Sequence, residues 1–263
     1  METNPNQFTK NAWDANAEAW DSKMGDEGND FFNILCWPVL ASFLDVQPDS
    51  NILDIACGNG LTSRRLATLG AKVAAIDFSA NLIEKAKARA NPDNRISYHV
   101  VDTTKEDQLL ALGQHKFDSA LSNMALFDMA YVETLFQVLP KLLMPNGIFA
   151  FSLCHPAFNN SSSVHLSEQW DDGRINTRYA IKVSRYMTPY HAEGVALPNQ
   201  PKPQLYFERP IQYYMNLGFQ NGFIVNGFEE RAFPPDHPQN KPLGWGGNFS
   251  EIPPVLVMRM RLK

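Results

Sequence analysis

The chain has 263 residues, 44% hydrophobic and 19% charged, which supplies a core for one large α/β domain or a domain with a sizeable insertion. A net charge of −5 and a pI near 5.7, with no Lys/Arg cluster, argue against a protein that grips nucleic acid through its phosphates. Cys36, Cys57 and Cys154 lie far apart without CxxC or Cys/His ligand spacing, so neither a disulfide framework nor a metal site is expected. The opening METNPNQFTKNAWDANAEAW is polar, and no stretch approaches the roughly 20 apolar residues of a membrane span. No secretory leader or membrane association is expected, and the chain reads as soluble and cytoplasmic.

In chain order, residues 1–45 are expected to be helical. Trp13, Ala17 and Trp20 share one face, and Phe31 to Leu44 forms a second apolar stretch. A regular alternation follows: a strand Ile52–Ala56, a helix Leu61–Leu69 closed by Gly70, and a strand Lys72–Ile76. Ser79 then N-caps a helix running to Ala90, with Leu82, Ile83 and Ala86 inward. Ile96–Val101 and Phe117–Ser122 are the next strands. A helix from Tyr131 to Leu143, striped with Val132, Leu135, Phe136 and Leu139, turns at MPNG into the strand Ile148–Leu153. Short apolar strands alternating with amphipathic helices mean parallel βαβ units covered on both faces.

The alternation stops at Cys154. Residues 155–208 hold a Ser/Asn run, a WDDG turn, the alternating INTRYAIKVSRY and the proline-rich LPNQPKP, and read as a cap insertion of loops and one short strand pair. RPIQYYMNLG resumes a helix with Pro210 in its first turn. FIVNGFEER and PPVLVMRMRL are two closing strands with no room for a helix between them, so they are expected to be antiparallel neighbours. The predicted fold is α/β: a doubly wound, mostly parallel seven-stranded sheet with an antiparallel last strand. It forms a single domain over 1–263, with an N-terminal helical lid at 1–45 and the cap insertion at 155–208 after the fifth strand.

In an open parallel sheet, ligands bind outside the carboxyl ends of the strands, where the strand order reverses. ILDIACGNG places Gly58 and Gly60 in the turn after the first strand, where their lack of a Cβ lets the backbone approach a ligand. Asp54, Asp77 and Asp102 mark the ends of three successive strands. There Asp77 is placed to reach the ribose hydroxyls of a nucleoside, and Asp102 to accept from an adenine amine.

ILDIACGNG, AAIDFS, VVDTT, FDSALSNMALF and LLMPNGIFAFS, in that order over roughly residues 45–155, resemble the motifs of the class I S-adenosylmethionine-dependent methyltransferases. The resemblance implies a Rossmann-like methyltransferase domain with S-adenosyl-L-methionine as cofactor. Gly58 and Gly60 would approach its methionine part, and Asp54 would help hold the ammonium. Asp77 would take the ribose diol, Phe78 would pack on the adenine, and Asp102 would accept from the adenine amine with Thr103 beside it. Asn123 and Met124 would line the site near the methyl. Ala56 stands where many members have glycine. A dinucleotide site would also use an acidic residue about 20 positions on, but the turn runs GNGLTS and lacks the third glycine of GxGxxG. A non-catalytic protein that binds the same cofactor remains an alternative.

Methyl transfer needs the nucleophile held close and aligned, and a base only if the acceptor has a proton to lose. His155, directly after the fifth strand, is the candidate base, expected to point over the pocket; the other reading is that it shapes the turn before Pro156. Relatives that methylate nucleobase or glutamine amines carry (Asp/Asn)-Pro-Pro-(Tyr/Phe) after strand four, where this chain has SNMALF. With the acidic pI, that points to a small organic acceptor using an oxygen, nitrogen or carbon nucleophile. Trp13, Trp20, Trp170, Tyr179, Tyr186, Tyr213 and Tyr214 are candidate aromatic walls.

Overall fold

A computed structural model of the chain describes residues 4–90, 95–239 and 241–263; residues 1–3 of the segment read as helical lie outside it. Helix α1 (Pro5–Met24) starts at Asn4, whose side chain accepts from the Asn6 N–H at 3.0 Å, and buries Ala12, Trp13, Ala17 and Met24. A π-helical turn, Phe31–Cys36, runs into α2 (Trp37–Leu44).

The alternating part follows as β1 (Asn51–Ile55), α3 (Leu61–Thr68), β2 (Lys72–Asp77), α4 (Ala80–Ala88), β3 (Ile96–Val100), α5 (Glu106–Leu110), β4 (Phe117–Asn123), α6 (Glu133–Leu142) and β5 (Leu143–Cys154). Ser79 caps α4 as expected, its hydroxyl accepting from the Leu82 N–H at 3.2 Å. Two details differ from the sequence reading. The short α5 was not expected, because only Leu109 of its five residues is buried and it presents no apolar stripe. MPNG is a bulge rather than a turn before the strand: the β4–β5 ladder jumps from Phe117–Leu143 to Ser119–Ile148, with Asn146 in the left-handed region at φ 64°.

Beyond β5 the chain forms two separate hairpins, β6 (Ser163–Asp171) with β7 (Ile175–Val183) and β8 (Tyr190–Gly194) with β9 (Gln204–Glu208). The second hairpin corrects the expectation of one strand pair. Its strands are five residues each and flank a proline-rich loop, which hides the period-two signal. Helix α7 (Ile211–Gln220), β10 (Phe223–Arg231) and β11 (Val255–Leu262) complete the chain.

The seven-stranded sheet has the order β10-β11-β5-β4-β1-β2-β3, with β11 antiparallel to both neighbours and the other central pairings parallel. Each face carries its own core. Leu53, Ile55, Phe136, Phe149 and Met258 lie in one cluster, and Leu35, Leu40, Ile52, Leu66 and Val257 in the other. Neighbours Ile52 and Leu53, or Val257 and Met258, therefore point to opposite faces, as a strand period of two requires. Full burial of each such side chain stabilises by about 1.5–3 kcal/mol, which locks the strand register and so the positions of the residues at the strand ends. Among the described residues no helix is long and apolar enough to cross a membrane.

Candidate functional site

A cavity of about 510 Å³ lies over the carboxyl ends of the parallel strands, where the order reverses between β1 and β4. After β1 the backbone enters the left-handed region at Ala56 (φ 57°), Gly58 (58°) and Gly60 (76°). Glycine takes this conformation freely, whereas Ala56 carries a cost of about 1–2 kcal/mol. A Cβ on Gly58 would sit 3.3 Å from Trp20 Nε1, so α1 closes directly on the turn.

Asp77, at the end of β2, accepts from the Gly58 N–H at 3.0 Å and the Ser79 N–H at 2.9 Å while lining the cavity. Burial pushes its pKa up to about 6, against the pull of those two amides. Beside it Phe78 and Leu82 pack with Trp13 and Trp20, whose rings meet edge to face at 5.3 Å. Thr103 enters from the end of β3. Asn123 and Met124 enter from the end of β4, with Asn123 Oδ1 accepting from Ser152 Oγ at 2.7 Å and Met124 at φ 53°. Ala56, Gly58, Asp77, Phe78, Thr103, Asn123 and Met124 thus meet around one cavity.

Four expected site residues do not line it: Asp54, Gly60, Asp102 and His155. Asp54 is sealed beneath the turn, 1% exposed, and accepts from Ser63 Oγ at 2.5 Å. Its pKa rises to about 7 because burial outweighs the Ser63 bond and the charge of Asp77 adds to it. Gly60 faces the Tyr98 hydroxyl, which would lie 2.7 Å from a Cβ there. Asp102 spends its oxygens on Asn6 Nδ2 at 3.0 Å, the Thr104 N–H at 2.9 Å and Thr104 Oγ1 at 2.7 Å, which ties the start of α1 to the end of β3.

His155 requires a correction to its expected direction. It is 1% exposed and turned away from the cavity, with Nε2 2.8 Å from Glu230 Oε1 and Nδ1 accepting from the Ala157 N–H at 3.1 Å. Burial holds its pKa below the usual histidine value although Glu230 pulls it upward. Both ring nitrogens are engaged, leaving neither for an acceptor.

A family model described as a methyltransferase domain matches residues 53–151, the span from β1 to β5 that carries the turn, Asp77, Asn123 and Met124. Residues 53–151 carry a methyltransferase domain, and the match supports a class I S-adenosylmethionine-dependent methyltransferase. A 2-phytyl-1,4-naphtoquinone methyltransferase of Trichormus variabilis is 30% identical over 159 residues, covering 55% of this chain and 65% of its own length. A magnesium-protoporphyrin O-methyltransferase of Rhodobacter capsulatus is 36% identical over 88 residues, 33% of this chain and 38% of its own. The chain thus spans less than two thirds of the length of these curated relatives. Among solved structures, an S-adenosylmethionine dependent methyltransferase from Mesorhizobium loti superposes with a TM-score of 0.63 at 24% identity, covering 86% of this chain and 96% of that one. That likeness shows the fold alone.

The methyltransferase domain shares its cavity with residues that the sequence did not single out. Phe127, Asp128 and Met129, in a 3-10 turn (Leu126–Asp128) and its exit, form one wall, and Tyr206 and Glu208 of β9 form the facing one. Arg209, 8% exposed, holds the first wall in place by donating to the carbonyls of Leu126 (3.3 Å), Met129 (2.9 Å) and Ala130 (2.9 Å). The Phe127 and Tyr206 rings pack edge to face at 5.6 Å. Of the expected aromatic walls, Trp13 and Trp20 line the cavity, whereas Trp170, Tyr179, Tyr186, Tyr213 and Tyr214 do not. The sequence reading singled out neither Asp128 nor Glu208; the packing of β9 against the 3-10 turn brings them to one cavity.

Proposed function

We propose that this chain transfers a methyl group from S-adenosyl-L-methionine to a small organic acceptor by in-line displacement. One observation carries the reading: the glycine turn, Asp77 and Phe78 on one side of the strand-order reversal, and Asn123, Met124, Phe127, Asp128 and Met129 on the other, open into a single cavity of about 510 Å³. A volume of that order suits a nucleoside-sized ligand with room for a second small molecule. The residues fit the cofactor, since a close-approach backbone cradle, a strand-end carboxylate and an aromatic face lie side by side. When bound, S-adenosyl-L-methionine supplies an electrophilic methyl on a cationic sulfur. The chain contributes by binding, alignment and exclusion of water, which can provide much of the rate.

In this reading residues 1–45 act as a lid and 155–208 as a cap. Helix α1 is latched over the crevice by polar contacts at Asn6–Asp102, Asp14–Ser79, Glu18–Lys85 and Asp21–Arg89. They act alongside an apolar seam in which Trp13, Ala17 and Trp20 pack on Leu82 and Phe78. The names of the curated relatives, which act on a naphthoquinone and on a porphyrin, support a small-molecule acceptor for this chain.

The test is binding first and transfer second. S-adenosylhomocysteine at about 100 times its Kd should stabilise the protein by roughly 2.7 kcal/mol. Methyl-labelled S-adenosylmethionine with a small-metabolite extract should then yield labelled product. Stabilisation by NADH and not by S-adenosylhomocysteine would overturn the proposal.

A further inference from the structure

Among the described residues, the cavity is lined by three carboxylate residues, Asp77, Asp128 and Glu208, and by no Lys, Arg or His. Asp77 is spoken for by the glycine turn. Asp128 and Glu208 sit on the other side of the strand-order reversal, beyond Asn123 and Met124, on the walls made by the 3-10 turn and β9.

Their chemical surroundings differ from those of a structural ion pair. Asp128 Oδ1 is buried and has no hydrogen-bond partner among the described residues. Burial and the nearby charge of Glu208 push the Asp128 carboxyl well above the usual carboxylate range. The groups facing it are themselves acids: Glu208, the Tyr206 phenol and the Cys154 thiol, whose own ionisation Asp128 opposes. Glu208 Oε1 accepts from the N–H and hydroxyl of Ser161, at 2.7 Å and 2.5 Å, but no cation pairs with it among the described residues. The neighbouring guanidinium, Arg209, is committed to the three carbonyls that hold the opposite wall. The fold thus places a cation one residue from Glu208 and uses it elsewhere.

An unpartnered carboxylate beside a second one in an apolar, aromatic cavity is costly. The cost falls when a ligand brings a positive charge and several N–H donors, and it rises for an anionic ligand. A neutral hydroxyl brings one donor and no charge. We infer that the methyl acceptor is an organic amine, entering as a cation whose ammonium group is received between Asp128 and Glu208 while its apolar part lies against Phe127, Tyr206 and Trp245. The ammonium gives one proton to the Asp128 carboxylate, and the freed nitrogen lone pair then forms the new N–C bond as the methyl–sulfur bond breaks and its electron pair leaves with S-adenosylhomocysteine. Carboxylate- and phosphate-bearing acceptors are excluded by the same lining. This inference rests on the methyltransferase reading above and narrows its acceptor class.

The probes are three near-isosteric compounds, phenethylamine, 2-phenylethanol and phenylacetate, titrated into the S-adenosylhomocysteine-loaded protein and followed by thermal shift. The amine is expected to stabilise the complex and to bind at least tenfold more tightly than the alcohol, with no stabilisation by the acid. Asp128→Asn should abolish the preference for the amine over the alcohol while keeping the S-adenosylhomocysteine shift, which also reports that the variant is folded. Glu208→Gln should reduce the preference in the same direction. In parallel, methyl label supplied with a metabolite extract should enter the fraction retained on a cation exchanger. An amine that binds no better than the alcohol, an amine preference unchanged in Asp128→Asn, or label confined to the unretained fraction overturns the inference. Failure of the wild-type protein to bind S-adenosylhomocysteine overturns the methyltransferase reading instead.

Discussion

Asn16 and Lys202, 186 residues apart, exchange two hydrogen bonds: the Asn16 Nδ2 donates to the Lys202 carbonyl at 2.8 Å, and Lys202 N–H donates to Asn16 Oδ1 at 2.9 Å. Asn16 is 2% exposed. Helix α1 and the loop between β8 and β9 are thereby joined. Asn16→Ala leaves both backbone groups of Lys202 without that partner and should cost about 1–3 kcal/mol in urea unfolding. If the join also holds the lid shut, S-adenosylhomocysteine should dissociate several-fold faster, read from tryptophan fluorescence in a stopped-flow chase. An unchanged dissociation rate would show that α1 does not gate the crevice.

Asp77 should matter twice, once to the ligand and once to the turn. Asp77→Ala removes the acceptor for the Gly58 and Ser79 amides. Hydrogen bonds to a charged group are worth about 1.5–3 kcal/mol each, so S-adenosylhomocysteine affinity by calorimetry should fall by roughly 100-fold or more. Retained affinity would mean that the nucleoside lies elsewhere.

The unliganded protein should lose stability as the pH rises. Burial holds Asp54 at a pKa of about 7 and Asp77 at about 6, both above the ordinary carboxylate value of 3.8. Between those limits the folded chain binds protons that the unfolded chain has released, so stability falls with rising pH. His155, with its lowered pKa, acts in the opposite sense only below the usual histidine pKa of 6.5. Above pH 6.5 the melting temperature should therefore decline, the Asp54 part being lost as the pH passes through about 7, and Asp54→Asn should reduce the slope, leaving the part carried by Asp128, whose carboxyl is likewise raised by burial. A flat wild-type profile would refute the assignment.

Gly60 and Tyr98 form a pair that a double-mutant cycle can resolve. Gly60→Ala places a Cβ at φ 76° and 2.7 Å from the Tyr98 hydroxyl, itself buried without a hydrogen-bond partner among the described residues. The left-handed backbone alone costs about 1–2 kcal/mol, and the clash adds to it. Tyr98→Phe should be near neutral and should rescue part of the loss. The rescue is incomplete, because the Tyr98 ring carbon Cε1 stands 3.1 Å from the same Cβ. Strict additivity of the two substitutions would disprove the contact.

His155→Gln should separate structure from catalysis. The variant loses the Glu230 and Ala157 contacts and should unfold at lower urea, by about 1–3 kcal/mol. Methyl transfer should change by less than about threefold. A positioned base contributes about 10²–10⁴-fold, so a hundredfold loss with intact S-adenosylhomocysteine binding would restore His155 as the base.

Much of this molecule was legible from local pattern. Apolar strands of period two, amphipathic helices, the Ser79 cap and the GNG turn each depend on neighbours a few residues away, and together they determined the sheet and the glycine-turn side of the crevice. Periodicity does not report which way a strand-end side chain turns. His155 and Asp102 stand at expected positions, yet Glu230 draws one away from the cavity and Asn6 and Thr104 occupy the other. The opposite side of the crevice was beyond the sequence for a related reason. Asp128 and Glu208 are 80 residues apart in chain order and meet only because β9 folds back across the 3-10 turn, with Arg209 fixing that turn through its carbonyls. Local chemistry set the frame; the long-range docking of one hairpin decided what the frame encloses, because burial and unpaired charge are properties of the assembled cavity and not of either segment alone.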